Sequence, residues 1–246
     1  MVGISAHKTD VGRTAKHNQD VIWTDETAGI YIVADGMGGQ DAGELASELA
    51  ATTTGNYLVA HLKDGSLSAA VVKDMMSAAL EAANDTVMQA AQEAKQDRPM
   101  GAAIVVALVR PLTAYICHAG DARAYLIHKS VLTRLTRDDS WVAQLLASGM
   151  ITEEQAHHHP LGHILTKAIG HDSPLEPAFS QVKITPGDWI ILCSDGLWKM
   201  VGDEKLLGTL QEANATPASA VEKLVEAANA AGGKDNISVI VIKIPG

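Results

Sequence analysis

Phenylalanine occurs once in 246 residues, and aromatic side chains make up only 4% of the chain. A core of any size must therefore come from Ala, Val, Ile and Leu, and the length suffices for one large domain or two small ones. Basic side chains are also in deficit, with 19 Lys and Arg against 29 Asp and Glu, a formal net charge of −10. No Lys/Arg-rich block relieves that deficit, so the chain lacks the footprint of a protein that binds nucleic-acid phosphates. Cysteine is nearly absent. Cys117 and Cys193 both sit in apolar, strand-like runs, which suits buried thiols in a reducing compartment better than a disulfide framework. Long hydrophobic runs are missing too. The longest fully apolar stretch, residues 102–109, falls far short of the roughly 20 residues a membrane helix needs, and no basic-then-apolar signal opens the chain. The expectation is a soluble, cytoplasmic protein with neither a membrane nor a nucleic acid as partner.

What the chain does have is a set of short acidic stretches, far apart, each at the end of an apolar run. They read His17-Asn18-Gln19-Asp20, then Val33-Ala34-Asp35-Gly36-Met37-Gly38-Gly39, then Leu192-Cys193-Ser194-Asp195-Gly196, and Lys234-Asp235-Asn236-Ile237. Carboxylates at strand rims are not core residues, and several converging on one spot repel each other unless a cation sits between them. Hard cations such as Mg2+ and Mn2+ favour all-oxygen sites of this kind. A carboxylate metal centre is the first hypothesis, although spacing alone does not bring the stretches together.

Apolar alternation and turn residues organise the rest. Residues 21–23 and 29–34 read as two strands around a polar turn at Asp25-Glu26. Asp41 can cap a helix running to about residue 62, with Leu45, Ala46, Leu49 and Ala50 on its apolar face. A second helix, from about Ser66 to residue 94, carries Leu67, Val71, Met75, Ala78 and Ala82 on one stripe. Strands over 103–109, 113–118, 122–127 and 131–135 have short connections, which predicts an antiparallel meander. A helical, His-rich excursion follows over about 140–170. The last third offers strands near 179–184 and 188–192 around a Pro186-Gly187 turn, helices near 203–212 and 217–230, and a closing strand over 237–244. Without repeats or linkers the chain reads as a single domain over 1–246, of α+β class rather than a βαβ parallel sheet.

Further motifs complete an ordered set: Gly120-Asp121-Ala122-Arg123, Leu135-Thr136-Arg137-Asp138-Asp139-Ser140, Ser194-Asp195-Gly196-Leu197-Trp198 and Asp235-Asn236-Ile237-Ser238-Val239. Together with Asn18-Gln19-Asp20 and the stretch at 33–39, the set resembles the metal-dependent Ser/Thr protein phosphatase family, of PPM or PP2C type, in its compact bacterial form. The resemblance covers nearly the whole chain. It implies a four-layer αββα sandwich, two antiparallel sheets flanked by helices, with metals in a cleft at one end. It implies that Asp35 bridges two ions of Mn2+ or Mg2+, with the Gly36 carbonyl as a further ligand. Asp195 and Asp235 match ligands of the first metal, and Asp20 matches an acidic position that holds the cluster through metal-bound water. Asp121 and Asp195 match the ligands of a third, looser ion. Two cations sharing a water lower its pKa and clamp the oxygens of an in-line displacement at phosphorus. Phosphomonoester hydrolysis is among the slowest uncatalysed reactions, so a protein without a covalent nucleophile needs that charge stabilisation.

Other features carry less. His157, His158, His159 and His163 suggest a transition-metal site, but consecutive His cannot all face one ion, and no Cys or acidic cluster lies beside them. The resemblance puts them in a mobile flap beside the cleft. Gly36-x-Gly38-Gly39 lacks the Lys-Ser/Thr of a phosphate loop.

The chain also departs from the family pattern. The family's phosphate-gripping Arg falls at Ala15, flanked by Arg13 and Lys16. Arg13 is the expected substitute, although neighbouring side chains of a strand point to opposite faces, so a one- or two-residue shift is no trivial replacement. A Gly-Thr-Thr becomes Gly101-Ala102-Ala103, an Asp-His-Ser becomes Asp138-Asp139-Ser140, and Gln40 stands where a His is common. No general acid is therefore expected beside the metals.

These residues lead to a phosphatase acting on phosphorylated proteins, the counterpart of a Ser/Thr kinase, and expected to be a monomer. The alternative is a catalytically weak module that binds a phosphorylated partner, motivated by Ala15. A metal-dependent nuclease is disfavoured by the acidic balance and the missing basic groove.

Overall fold

The computed structural model describes residues 3–62, 67–94, 100–157, 159–171, 174–212 and 215–245. Strands β1 (Ile4–Asp10), β6 (Arg123–His128), β7 (Val131–Arg134), β9 (Trp189–Cys193) and β10 (Ile237–Lys243) form one sheet in the order β1-β10-β9-β6-β7. Strands β2 (Asp20–Asp25), β3 (Ile30–Met37), β4 (Gly101–Arg110), β5 (Thr113–Ala119) and β8 (Ala178–Lys183) form the other, in the order β2-β3-β4-β5-β8. Every pairing is antiparallel. Helices α1 (Gln40–His61) and α2 (Ala69–Glu93) cover the second sheet, while α6 (Asp203–Gln211) and α7 (Pro217–Ala230) cover the first.

Period-two side-chain alternation explains the layering. On β4, Ala102, Ile104, Val106 and Leu108 pack toward α1 and α2, while Ala103, Val105, Ala107 and Val109 pack between the sheets. On β10, Ile240 and Ile242 face the other sheet, and Val239 and Val241 face α7. Strands buried on both faces read as continuous apolar runs, which is why they were visible in the sequence. Three stacked cores therefore separate four layers, the αββα sandwich that the resemblance implied. The middle core is floored by small and β-branched side chains, as the shortage of aromatics requires.

Helix termini follow local chemistry. Pro217 opens α7 behind a Thr216–Ser219 capping box, and the Ser68 hydroxyl accepts from the Val71 amide at the start of α2. At α1 the cap is Gly39 rather than Asp41, which lies in the first turn and complements the positive end of the helix dipole instead. The expected start of α2 at Ser66 lies outside the described residues.

Several expectations change. The meander over 103–135 is two hairpins, not one. β4 pairs with β5 in one sheet and β6 with β7 in the other, so the Gly120-Asp121 turn crosses between sheets. The buried stripe of α2 is Val72, Met76, Ala79, Leu80, Ala83 and Val87, one position round from the expected one, and Val71 is half exposed. On α1, Ala46 and Ala50 are buried as expected, whereas Leu45 is exposed. Among the described residues, the excursion over 140–170 holds two short helices, α3 (Trp141–Ala147) and α4 (Glu153–His157). The one-turn helix α5 (Asp195–Trp198) had no counterpart in the sequence reading.

Candidate metal centre

The inter-sheet core ends in carboxylates. Along β3, Val33 packs between the sheets and Asp35 is the next residue on that face. Asp20, the first residue of β2, is the registered partner of Asp35 across the β2–β3 ladder. Directly opposed like charges destabilise a strand pair, so such a rung is unusual in a sheet built for stability alone. Asp195 opens α5, separated from the end of β9 by Ser194, while Asp235 precedes β10 and Asp121 lies in the turn after β5. The ends of both sheets thus bring the expected residues within electrostatic reach of one another.

Their ionisation records the crowding. Burial pushes Asp20 up to about 7, against a hydrogen bond from the Ser194 hydroxyl at 2.7 Å, with the charges of Asp195 and Asp235 adding to the rise. Asp35 is raised well above the ordinary carboxylate range by burial and then by Asp20, Asp195, Asp121 and Asp235. Asp121 is lifted to about 7 by burial and by Asp195, partly offset by Lys199. Asp235 is raised by burial and by Asp195, with the Asn236 amide and Lys199 pulling the other way. Each of these groups gains if a cation enters among them.

Close packing of the backbone holds the cluster. The Gly36 amide donates to the Gln19 carbonyl at 3.0 Å, and a Cβ at Gly36 would lie 2.0 Å from the Gly43 carbonyl oxygen of α1. Glycine is required there by approach, not by a phosphate loop. Asn236 is a pin that the sequence reading did not single out. Its Oδ1 accepts from the Gln19 amide at 2.8 Å, and its Nδ2 donates to the carbonyls of Val11 and His17, both at 2.9 Å. A single buried amide thereby fastens the loop before Asp20 to the loop that carries Asp235.

Arg13 lies in a turn, not in a strand, so the alternation argument against a shifted arginine does not apply. Gly12 adopts φ +80° against the Asp235 carbonyl, and the Arg13 amide donates to Gly233 at 2.7 Å. The exposed Arg13 is therefore tied to the Asp235 loop, with Lys16 exposed further along.

Around Asp121 a second network forms. Arg123 grips Asp138 with Nε at 2.9 Å and Nη2 at 2.6 Å, and its guanidinium lies 3.3 Å from the Trp198 ring centre. The Trp198 indole donates to the Asp121 carbonyl at 2.9 Å. The Asp139 amide donates to Gly120 at 2.9 Å, and the Asp139 carbonyl accepts from Thr166 at 2.7 Å, which anchors the base of the 140–170 excursion to the same turn. Ala103 packs directly under Gly120, where a Cβ would lie 2.5 Å from that of Ala103. Ala103 thus fills space beneath the turn, while Ala102 packs on the opposite face of β4.

The donor set is all oxygen, from carboxylates and a peptide carbonyl, which fits hard divalent cations. The fit is one of shared carboxylates and not of a closed cage. Among the described residues, no three acidic, His or Cys side chains are drawn together tightly enough to hold one ion by themselves. Asp195 is turned 2.5 Å to Lys199 and Asp20 to Ser194, which spreads the set. After burial, the charges of Asp20, Asp195, Asp121 and Asp235 add to the rise at Asp35, so these side chains nonetheless lie within electrostatic range of it. Of the four histidines of the excursion, the His157 side chain lies outside the described residues. His163 is exposed and the His159 ring accepts from the Leu161 amide at 3.2 Å, while His158 lies outside the described residues.

Comparison with known proteins matches residues 12–236 to the family described as protein phosphatase 2C. The protein phosphatase PhpP of Streptococcus pneumoniae is 35% identical over 239 residues, 96% of this chain and 95% of that protein. The serine/threonine phosphatase PstP of Mycobacterium tuberculosis superposes with a TM-score of 0.87 at 33% identity, covering 100% of both chains. The PstP catalytic domain has also been solved in complex with two manganese ions. PppA of Pseudomonas aeruginosa, a regulatory component of a type VI secretion system, superposes with a TM-score of 0.85 at 31% identity, covering 99% of this chain and 98% of that one.

Proposed function

Because this chain belongs to the protein phosphatase 2C family, we propose that its carboxylate cluster is the centre at which phosphoserine and phosphothreonine in proteins are hydrolysed. The protein is a metal-dependent protein phosphatase, and its substrates are phosphoproteins. The observation that carries the site assignment is the convergence of Asp20, Asp35, Asp121, Asp195 and Asp235, with burial and mutual repulsion raising several of them.

Asp35 would serve both of two Mn2+ or Mg2+ ions, with the Gly36 carbonyl, and Asp195 and Asp235 would hold the first. Asp20 would steady the cluster from behind, fixed by Ser194. When bound, such a pair lowers the pKa of a shared water and neutralises charge on phosphoryl oxygens.

The protein's own groups shape the rest. Neither Ser194 nor either of the two thiols is a competent nucleophile. Ser194 is fully buried and donates to Asp20, while burial pushes the Cys117 thiol up to about 12 and raises Cys193 further. Water is left as the attacking group. Arg13, exposed and with its backbone anchored through Gly233, would grip a phosphate with two parallel N–H donors.

We further assign the chain as a single catalytic domain, with the 140–170 excursion as its flap, acting in the cytoplasm as a monomer on targets of a Ser/Thr kinase. Among the described residues no helix is long and apolar enough to cross a membrane. Hydrolysis of a phosphothreonine peptide tests the function. Turnover should require Mn2+ or Mg2+ and vanish in Asp195→Ala with an unchanged circular dichroism spectrum. A wild-type chain that binds the peptide without turning it over would instead establish the binding-module alternative.

A further inference from the structure

Lys199 is, among the described residues, a cation in direct contact with the cluster, and the fold builds it in. It lies four residues after Asp195, so the one turn of α5 brings the two side chains onto the same face, in the favourable order of acid before base. Its ammonium sits 2.5 Å from Asp195 Oδ2 and 3.6 Å from Asp121 Oδ2. Both carboxylates are largely enclosed, with side-chain exposures of 17% and 8%.

The other basic group near Asp121 is committed elsewhere. Arg123 gives two donors to Asp138 and stacks on Trp198. Trp198 in turn fixes the Asp121 backbone through its indole N–H and lies under the Lys199 ammonium, 5.2 Å from its ring centre. Lys199 is thus held in place from three sides, by Asp195, Asp121 and the indole.

We propose that the Lys199 ammonium is the cation shared by Asp121 and Asp195, so that this pair takes no metal ion and Asp195 is positioned to offer Oδ1 to the main centre. The proposal rests on the metal-centre reading above. It also replaces the third ion that the resemblance implied at Asp121 and Asp195. An ammonium is a compact point charge with several donors, enough to bridge two carboxylate oxygens without the open coordination sphere a divalent ion needs. A divalent cation entering the same space would meet a like charge at close range. Lys199 is a positioning residue on this account, because it acts through Asp195.

Counting bound Mn2+ by equilibrium dialysis with elemental analysis tests it independently of turnover. The wild type should bind two ions per chain, and Asp121→Asn in the wild-type background should leave that number unchanged. Lys199→Met should gain one ion, the double variant Lys199→Met/Asp121→Asn should lose it again, and Lys199→Arg should keep the wild-type number. Loss of one ion on Asp121→Asn in the wild type would overturn the proposal, as would an unchanged number in a folded Lys199→Met. If Lys199→Met does not fold, Asp121→Asn and Lys199→Arg still decide the matter. A wild-type chain that binds no Mn2+ at all would overturn the metal-centre reading itself, an outcome distinct from a bound ion that depends on Asp121.

Discussion

Asp20 and Asp35 face each other on one rung of a ladder, and both are held in positions that disfavour their own charge. Two carboxylates at contact distance repel by several kcal/mol at the effective dielectric of a protein, on the order of 4 kcal/mol at 4 Å. That repulsion is tolerable only if a bound cation reverses it, so the site trades stability of the bare protein for affinity. Replacing one member should expose the trade. Asp20→Asn is expected to raise the melting temperature in chelator by several degrees, at about 2–4 °C per kcal/mol for a chain of this size. The same variant should weaken Mn2+ binding by about 10–100-fold, the usual effect of removing a group that supports metal ligands. Paired melts in chelator and Mn2+ titrations check both halves. A lower melting temperature in chelator would mean that Asp20 is structural and not strained.

At the scale of elements, the site exists because loops from opposite ends of the chain are fastened together. Asn236 satisfies three backbone groups of the loop between β1 and β2. Cutting it to Ala leaves one donor and two acceptors without their partner, each costing about 1–3 kcal/mol if buried. Asn236→Ala is therefore expected to lower the melting temperature by on the order of 10 °C and to reduce Mn2+ affinity together with stability, read by thermal melts and titration. A variant that loses only turnover would give Asn236 a direct role at the phosphate.

The legibility of the chain follows the same physics. The strands were readable because both of their faces are buried, and Pro186-Gly187 marked a real turn, with Gly187 at φ +92°. The acidic motifs stood out because several carboxylates at strand rims, each within an ordered set of motifs, are more than turn chemistry alone asks for. The buried face of α2 was not, because Val71, Val72, Met75 and Met76 offer apolar side chains in several directions at once and periodicity cannot choose among them. The crossing at Gly120-Asp121 was missed because a short connection looks the same whether its strands share a sheet or not. Lys199 went unnoticed because its pairing with Asp195 depends on a helix of a single turn, too short to leave a periodic signal.

Over the whole molecule, the raised carboxylates set a pH dependence opposite to that of an ordinary acidic protein. Asp20 and Asp121 are near 7 in the fold against 3.8 in the free chain, so between those values the folded state binds more protons than the unfolded state. Stability of the metal-free protein must then fall as pH rises through that window and level off above it. Asp10, held below its ordinary value chiefly by a hydrogen bond from Asn229, acts the other way only at lower pH. In chelator the melting temperature should be higher at about pH 5 than at about pH 7.5. With saturating Mn2+ the order should reverse, because a bound cation favours the ionised carboxylates. Four melting curves suffice, and a chelated protein that is more stable at the higher pH would contradict the assignment of these groups.

The central claim is that the ends of both sheets gather distant aspartates into one cation-binding centre, and anomalous diffraction from a manganese-soaked crystal tests it most directly. The account predicts two manganese peaks in contact with Asp35, as many ions as the PstP catalytic domain holds, with Asp195 and Asp235 on the first of them and Lys199 still between Asp195 and Asp121. Manganese absent from that cluster at saturating concentration would contradict it.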